Sequence, residues 1–241
     1  MKLHAFGIRL VVLSLLLLPA MVCAAASQVG QVSRITGGKF AEAETPGGVI
    51  RKLAAGDAVF VGERIRTGAG ISTHIEFTDK ARFILGPNTE FAVEQYQRKQ
   101  DGSDQDVFYS RIIKGAFRFV SGLIAHSNKG NMQVGLAVAT IGVRGTHVEG
   151  EVMERQEKNG VTVDSSAKVV LLEPEGSGNN GSVVVENKFG SVVIDKPGYG
   201  TEIPDEKSPP SPVRRMQLRT IDNVLRAIRS PPRQGGPVRR P

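Results

Sequence analysis

Ile71-Ser72-Thr73-His74-Ile75-Glu76-Phe77-Thr78-Asp79-Lys80-Ala81-Arg82-Phe83-Ile84-Leu85 is the stretch that decides the fold. Ile71, Thr73, Ile75 and Phe77 alternate with Ser72, His74, Glu76 and Thr78, the two-residue period of a strand with one face in a core. Thr78-Asp79-Lys80 carries turn residues, and Ala81–Leu85 reads as the returning strand. Similar short runs follow outward in both directions: Val59–Arg66, Phe91–Gln95, Val107–Ile113, Ala116–Val120, Lys168–Leu172, Ser182–Glu186 and Ser191–Ile194. Turn signals separate them at Gly86-Pro87-Asn88, Gln100-Asp101-Gly102-Ser103, Asn159-Gly160, Gly178-Asn179-Asn180-Gly181 and Lys188-Phe189-Gly190. Met132–Val138 with Ala139–Val143 is a longer apolar stretch, expected to form buried strand at the centre of the fold. No run before residue 213 has the three-to-four-residue period of a long helix, which argues against an α/β fold. The fold class expected is all-β, a solenoid-like or sandwich-like array of short strands, with a short basic C-terminal helix or disordered tail.

The 241 residues are 40% apolar and 23% charged, an ordinary globular composition. One Cys excludes an internal disulfide framework and a Cys-based zinc site, and four His leave little material for a His-based one. No cofactor or metal is expected. Residues 1–26 read as a secretory signal peptide: Lys2 and Arg9 precede the apolar core Leu10–Leu18, Pro19 interrupts it, and Ala24-Ala25-Ala26 offers small residues for cleavage. The alternative is an uncleaved inner-membrane anchor, for which the 17 residues from Leu10 to Ala26 are short. Ala20-Met21-Val22 ahead of Cys23 is a poor context for lipid attachment. The expected location is periplasmic or secreted.

The net charge of +7 is unevenly spread. Ser27 to Pro204 holds 20 Lys and Arg against 21 Asp and Glu, whereas Asp205 to Pro241 holds 9 against 3. The body, residues 27–204, is therefore close to neutral, and residues 205–241 form a Pro- and Arg-rich tail flanked by Pro209, Pro210 and Pro212. Leu218, Ile221, Val224, Leu225 and Ile228 recur at helical spacing there, so a basic helix is expected over 213–229. Its arginines, Arg214, Arg215, Arg219, Arg226 and Arg229, are candidates for contact with an anionic envelope surface; a solvated end, or a helix docked on a partner or the body, are the other readings. Nucleic acid is disfavoured by export and by the scarcity of aromatic residues near these arginines.

Three segments together carry a resemblance to a known family. The first is Leu53-Ala54-Ala55-Gly56-Asp57-Ala58-Val59-Phe60-Val61-Gly62-Glu63-Arg64-Ile65-Arg66-Thr67, with Glu63 where the family more often has Asp. The second is Ile75 to Phe91, with Lys80 in place of the usual turn Gly. The third runs from Gly115-Ala116-Phe117-Arg118-Phe119-Val120 to Val138-Ala139-Thr140-Ile141-Gly142-Val143-Arg144-Gly145-Thr146. In this order they resemble the FecR-domain family; the likeness covers residues 29–152, and further strands over 161–203 resemble stand-alone exported members. It implies a solenoid-like periplasmic module, best known from transmembrane regulators that relay a receptor's state to a sigma factor. Those regulators carry a cytoplasmic anti-sigma segment, whereas only nine residues precede the apolar run here. The expected function is a non-enzymatic protein-binding or sensory module whose partner is another envelope protein. The alternative is a structural or adhesive protein that holds cell-wall or surface polymer.

Arg144, Gly145 and Thr146 are the family's marker. In one reading Arg144 contacts a partner or anion; in the other it closes a turn while Gly145 supplies a tight bend. His74 falls on a polar strand face and His126 in a polar turn, and His147 keeps the parity of Ile141 and Val143 unless Gly145 bulges. Glu149, Glu151, Glu154 and Glu157 are expected to form a solvated face, since no Trp and three Tyr leave no sugar-binding platform for a carboxylate pair. No phosphate loop or nucleophile elbow is present, and no catalytic residue is expected.

Overall fold

The computed structural model describes residues 27–99, 105–127, 130–158, 160–173 and 181–218. The signal-peptide segment, the 100–103 turn and Arg219, Arg226 and Arg229 lie outside the described residues. Alternation along the chain builds strand after strand. In order these are β1 (Gln28–Thr36), β2 (Ala41–Glu44), β3 (Ile50–Leu53), β4 (Ala58–Phe60), β5 (Arg64–Arg66), β6 (Ser72–Phe77), β7 (Arg82–Leu85), β8 (Glu90–Gln97) and β9 (Val107–Val120). A five-residue helix, α1 (Leu123–Ser127), follows. Then come β10 (Met132–Gly135), β11 (Thr140–Arg144), β12 (His147–Met153), β13 (Gln156–Lys158), β14 (Val161–Val163), β15 (Ser166–Leu172), β16 (Ser182–Asn187), β17 (Gly190–Ile194), β18 (Tyr199–Ile203) and β19 (Arg214–Arg215).

The strands pair into two sheets joined through β9. The first sheet runs β4-β1-β6-β7-β9-β12-β15-β18-β19. The second runs β3-β2-β5-β8-β9-β10-β11-β16-β17. Neighbours are antiparallel except β9 with β10. The fold is thus all-β. It has the two facing layers of a sandwich, and each layer grows nearly in chain order, as a solenoid does. β13 and β14 form a separate hairpin.

A cluster of phenylalanines sits between the layers. Phe83 of the first sheet lies 5.2 Å from Phe91 and 5.7 Å from Phe108, both on the second, and 5.1 Å from Phe119 on its own. Burying each such ring contributes about 1.5–3 kcal/mol.

Three sequence expectations change. Val59–Arg66 is two strands: β4 lies in the first sheet and β5 in the second, with the chain turning through Gly62. Conversely, Val107–Ile113 and Ala116–Val120 are one strand. Residues up to Lys114 pair with β8, those from Phe117 pair with β7, and Gly115 at φ 96° bends β9 from one sheet into the other. A Cβ at Gly115 would lie 2.3 Å from Thr89 Oγ1 and 2.5 Å from Thr89 Cα, so the bend tolerates only glycine. Third, Met132–Val143 is a hairpin closed by the Leu136 N–H donating to Ala139 O at 2.7 Å.

The C-terminal expectation changes as well. Arg214 and Arg215 form strand β19 on the edge of β18, not the first turn of a helix. Prolines at 209, 210 and 212 favour extended backbone, and the β18 edge supplies unpaired main-chain groups to pair with. Residues 205–218 therefore act as a strap over the body rather than a free tail. Ser211 N–H donates to Glu202 O and Met216 N–H to Gly198 O, both at 2.9 Å, and Leu218 is buried. Among the described residues no helix is long and apolar enough to cross a membrane.

Candidate functional site

Strand register sets two polar rows on the outward face of the first sheet. In one, His74, Ile84, Arg118, Glu149 and Val170 stand opposite one another across β6, β7, β9, β12 and β15. In the next, Glu76, Arg82, Val120, His147 and Leu172 do the same. The intervening residues Ile75, Phe83, Phe119, Val148 and Leu171 point into the core, so alternation alone puts the polar set outside.

This outward face is not open to solvent throughout. The strap crosses it, and a cavity of about 640 Å³ lies beneath, lined by Arg118, His147, Glu149, Tyr199, Arg215 and Met216 among others. A second cavity of about 100 Å³ adjoins it, bordered by Ser33, His74, Arg82, Ile84, Arg118 and His147. Arg118 and His147 line both cavities and stand between them.

Covering the face changes its chemistry. Glu149 is only 4% exposed and His147 5%, so Glu149 is not part of a solvated carboxylate face as the sequence suggested; Glu154 and Glu157 are exposed. His147 Nδ1 lies 3.2 Å from Glu173 O. Arg118 Nε and His74 Nε2 are buried without a hydrogen-bond partner among the described residues. Burial, and then the nearby Arg34 cation, lower the pKa of His74 below the usual imidazole range, which favours the neutral ring.

The Arg144-Gly145-Thr146 marker is the corner that delivers β12 to this face. β11 belongs to the second sheet and β12 to the first, and Gly145 at φ 63° turns the chain between them. The left-handed residue breaks the parity of Ile141 and Val143, so His147 points outward instead of into the core. The Thr146 N–H donates to Ser121 Oγ at 2.8 Å and the Ser121 N–H returns to Thr146 O at 3.0 Å, which holds the corner against the end of β9. Arg144 itself is exposed, and its side chain makes no hydrogen bond or ion pair among the described residues. His126, at the end of α1, packs against Gly145, where a Cβ would lie 2.6 Å from the ring.

The two described tail arginines diverge. Arg214 pairs with Glu202 at 2.8 Å, which offsets its charge, while Arg215 borders the larger cavity. Arg118 was not singled out in the sequence, although it stands between Phe117 and Phe119 where alternation marks it as outward. Its covering by a strap about a hundred residues later left no local signal. Among the described residues no group of three His, Cys, Asp or Glu side chains could hold a metal ion.

Residues 63–168 match the family described as FecR protein. That span of the chain is a FecR domain, a domain of the kind found in signal-transduction regulators. The match takes in the second and third resembling segments and extends past residue 152 into β15, while the first segment falls mostly ahead of it. The matched span supplies Arg118, His147 and Glu149, whereas the strap lies beyond it. No curated protein matches the chain.

Proposed function

We propose that the protein is an exported, non-enzymatic sensory or protein-binding module that works in the periplasm or after secretion. The FecR domain over residues 63–168 carries this reading. The signal-peptide pattern at Lys2–Ala26 supports export, and the strapped face of the first sheet supports a binding role, because it holds buried polar groups in a concave surface. The partner we infer is another envelope protein, and Arg214, Arg215, Arg219, Arg226 and Arg229 are the candidates for contact with an anionic envelope surface.

The test is fractionation of cells expressing the tagged full chain, mass spectrometry of its N-terminus, and crosslinking in the intact envelope. A chain beginning near Ser27 in the periplasm or medium, crosslinked to a defined protein, is the expected result. An intact Met1 on a cytoplasmic protein would overturn the location. Sedimentation with purified cell wall, in the absence of any protein partner, would replace the sensory reading with a structural or adhesive one.

A further inference from the structure

The smaller cavity on the first sheet has an unusual lining. Its polar side chains among the described residues are Ser33, His74, Arg82, Arg118 and His147, with Ile84 and Val120 among its apolar walls, and no carboxylate among those residues borders it. Two of its nitrogens, Arg118 Nε and His74 Nε2, are buried and have no hydrogen-bond partner among the described residues. Register places them on either side of Ile84, His74 on β6 and Arg118 on β9. Adjacent strands lie about 4.8 Å apart, so the two backbones are separated by about 10 Å and the side chains flank one small space.

Arg118 Nε carries a hydrogen and only donates; neutral imidazole donates from one nitrogen. A buried donor left unmade costs about 1–3 kcal/mol. A cationic donor left unpartnered in a space whose described lining holds no carboxylate favours an acceptor that brings negative charge, and His74 in its Nε2–H tautomer adds a second donor. A guanidinium edge also matches the geometry of a carboxylate or phosphate.

We propose that this cavity is an oxyanion subsite, which takes a carboxylate or phosphate group of a small ligand on Arg118 and His74, and that the adjoining cavity under the strap holds the rest of that ligand. Arg118 and His147 border both spaces, so a ligand extending from one into the other passes between them. The volume of about 640 Å³ lies within the range of small-molecule sites. Glu149, Tyr199 and Arg215 on its lining supply both hydrogen-bond donors and acceptors, so the body of the ligand is polar and carries groups of both kinds. This deepens the sensory reading by naming a ligand class, yet it concerns the purified protein and does not depend on export.

The experiment is titration of the purified full chain with sodium acetate, sodium succinate and inorganic phosphate. It is done at constant ionic strength set with chloride and followed by side-chain NMR of the Arg Nε–H and His ring signals. Saturable shifts of Arg118 and His74 with a carboxylate or with phosphate are expected, and the two arms distinguish the head groups. Arg118→Met and Arg118→Lys, which both remove the Nε–H donor, are each expected to weaken binding at least tenfold. His74→Phe provides a second variant with an independent effect on the same curve. Absence of saturation, or saturation unchanged in folded Arg118→Lys and His74→Phe proteins, overturns the subsite. Loss of binding in those variants while export and partner crosslinking persist would support the subsite apart from the wider function.

Discussion

Arg51 and Glu63 meet as a two-pronged ion pair. Arg51 Nε donates to Glu63 Oε1 and Nη2 to Oε2, each at 3.0 Å, and Nη2 also donates to Ala58 O at 2.6 Å. The Phe60 N–H donates to Glu63 Oε2 at 3.0 Å. The pair therefore fastens β3 to the turn where the chain passes from β4 to β5, at the start of the family's matched span. Its two members are unequal: the Glu63 side chain is 3% exposed and that of Arg51 31%.

The inequality predicts an asymmetric cost. Arg51→Met strands a buried carboxylate with one N–H donor, whereas Glu63→Gln leaves a half-exposed guanidinium that reaches water. Urea denaturation is expected to show a loss of about 3 kcal/mol for Arg51→Met and about 1–2 kcal/mol for Glu63→Gln. Equal losses would show that the pair contributes through packing alone.

Lys80 occupies the left-handed region at φ 72°, in the turn where the family more often has glycine. Its ion pair with Glu76, 3.5 Å long between exposed side chains, contributes little. Relief of backbone strain exceeds the added chain entropy of glycine, so Lys80→Gly is expected to raise stability by about 0.5–1 kcal/mol. A lowered melting temperature would place the value of this residue in its side chain.

The marker corner makes opposite predictions for its first two residues. Gly145→Ala meets the left-handed penalty and a contact with His126, and should cost about 1–2 kcal/mol. Arg144→Ala, at an exposed position, should change stability by less than about 0.5 kcal/mol. If chemical denaturation reverses this order, Arg144 and not Gly145 holds the corner. An Arg144→Ala protein with native stability but no partner crosslinking would assign the arginine to recognition.

His74 predicts a pH dependence. Its folded pKa is lowered by burial and by Arg34, so below the unfolded value of about 6.5 the unfolded chain binds more protons than the native one. Stability from this residue is thus present at neutral pH and lost as pH falls through that value. Arg34 and Arg82 face it from the neighbouring strands β1 and β7, and Arg118 and His147 line the same small cavity from β9 and β12. Urea midpoints at pH 7.5 and 5.5 should differ more for the native chain than for His74→Phe. Identical slopes would remove His74 from the account.

Much of the architecture was legible because two-residue alternation is a local property. Ile75, Phe77 and Phe83 announce inward faces, and the turns at Thr78–Lys80 and Gly86–Asn88 lie where their composition puts them. What escaped is what depends on distant chain. Gly115 reads as a strand break, yet its positive φ lets β9 continue from one layer into the other. Glu149 reads as solvated, and is buried on a face crossed by residues 215–217. Arg214 and Arg215 fit a helical pattern, but the open edge of β18 draws them into a strand. The marker tripeptide was visible throughout; that its glycine serves to aim His147 was not.

The near-sequential order of strands bears on how the chain comes together. In both layers a new strand mostly docks on one laid down shortly before, and the longest waits are those of β1 for β6 and β11 for β16. A polypeptide delivered from its N-terminus can therefore zip up as it emerges, with few hydrophobic edges left waiting for late partners. The strap follows β18 in the chain, so the space beneath it closes only after that strand has docked on β15.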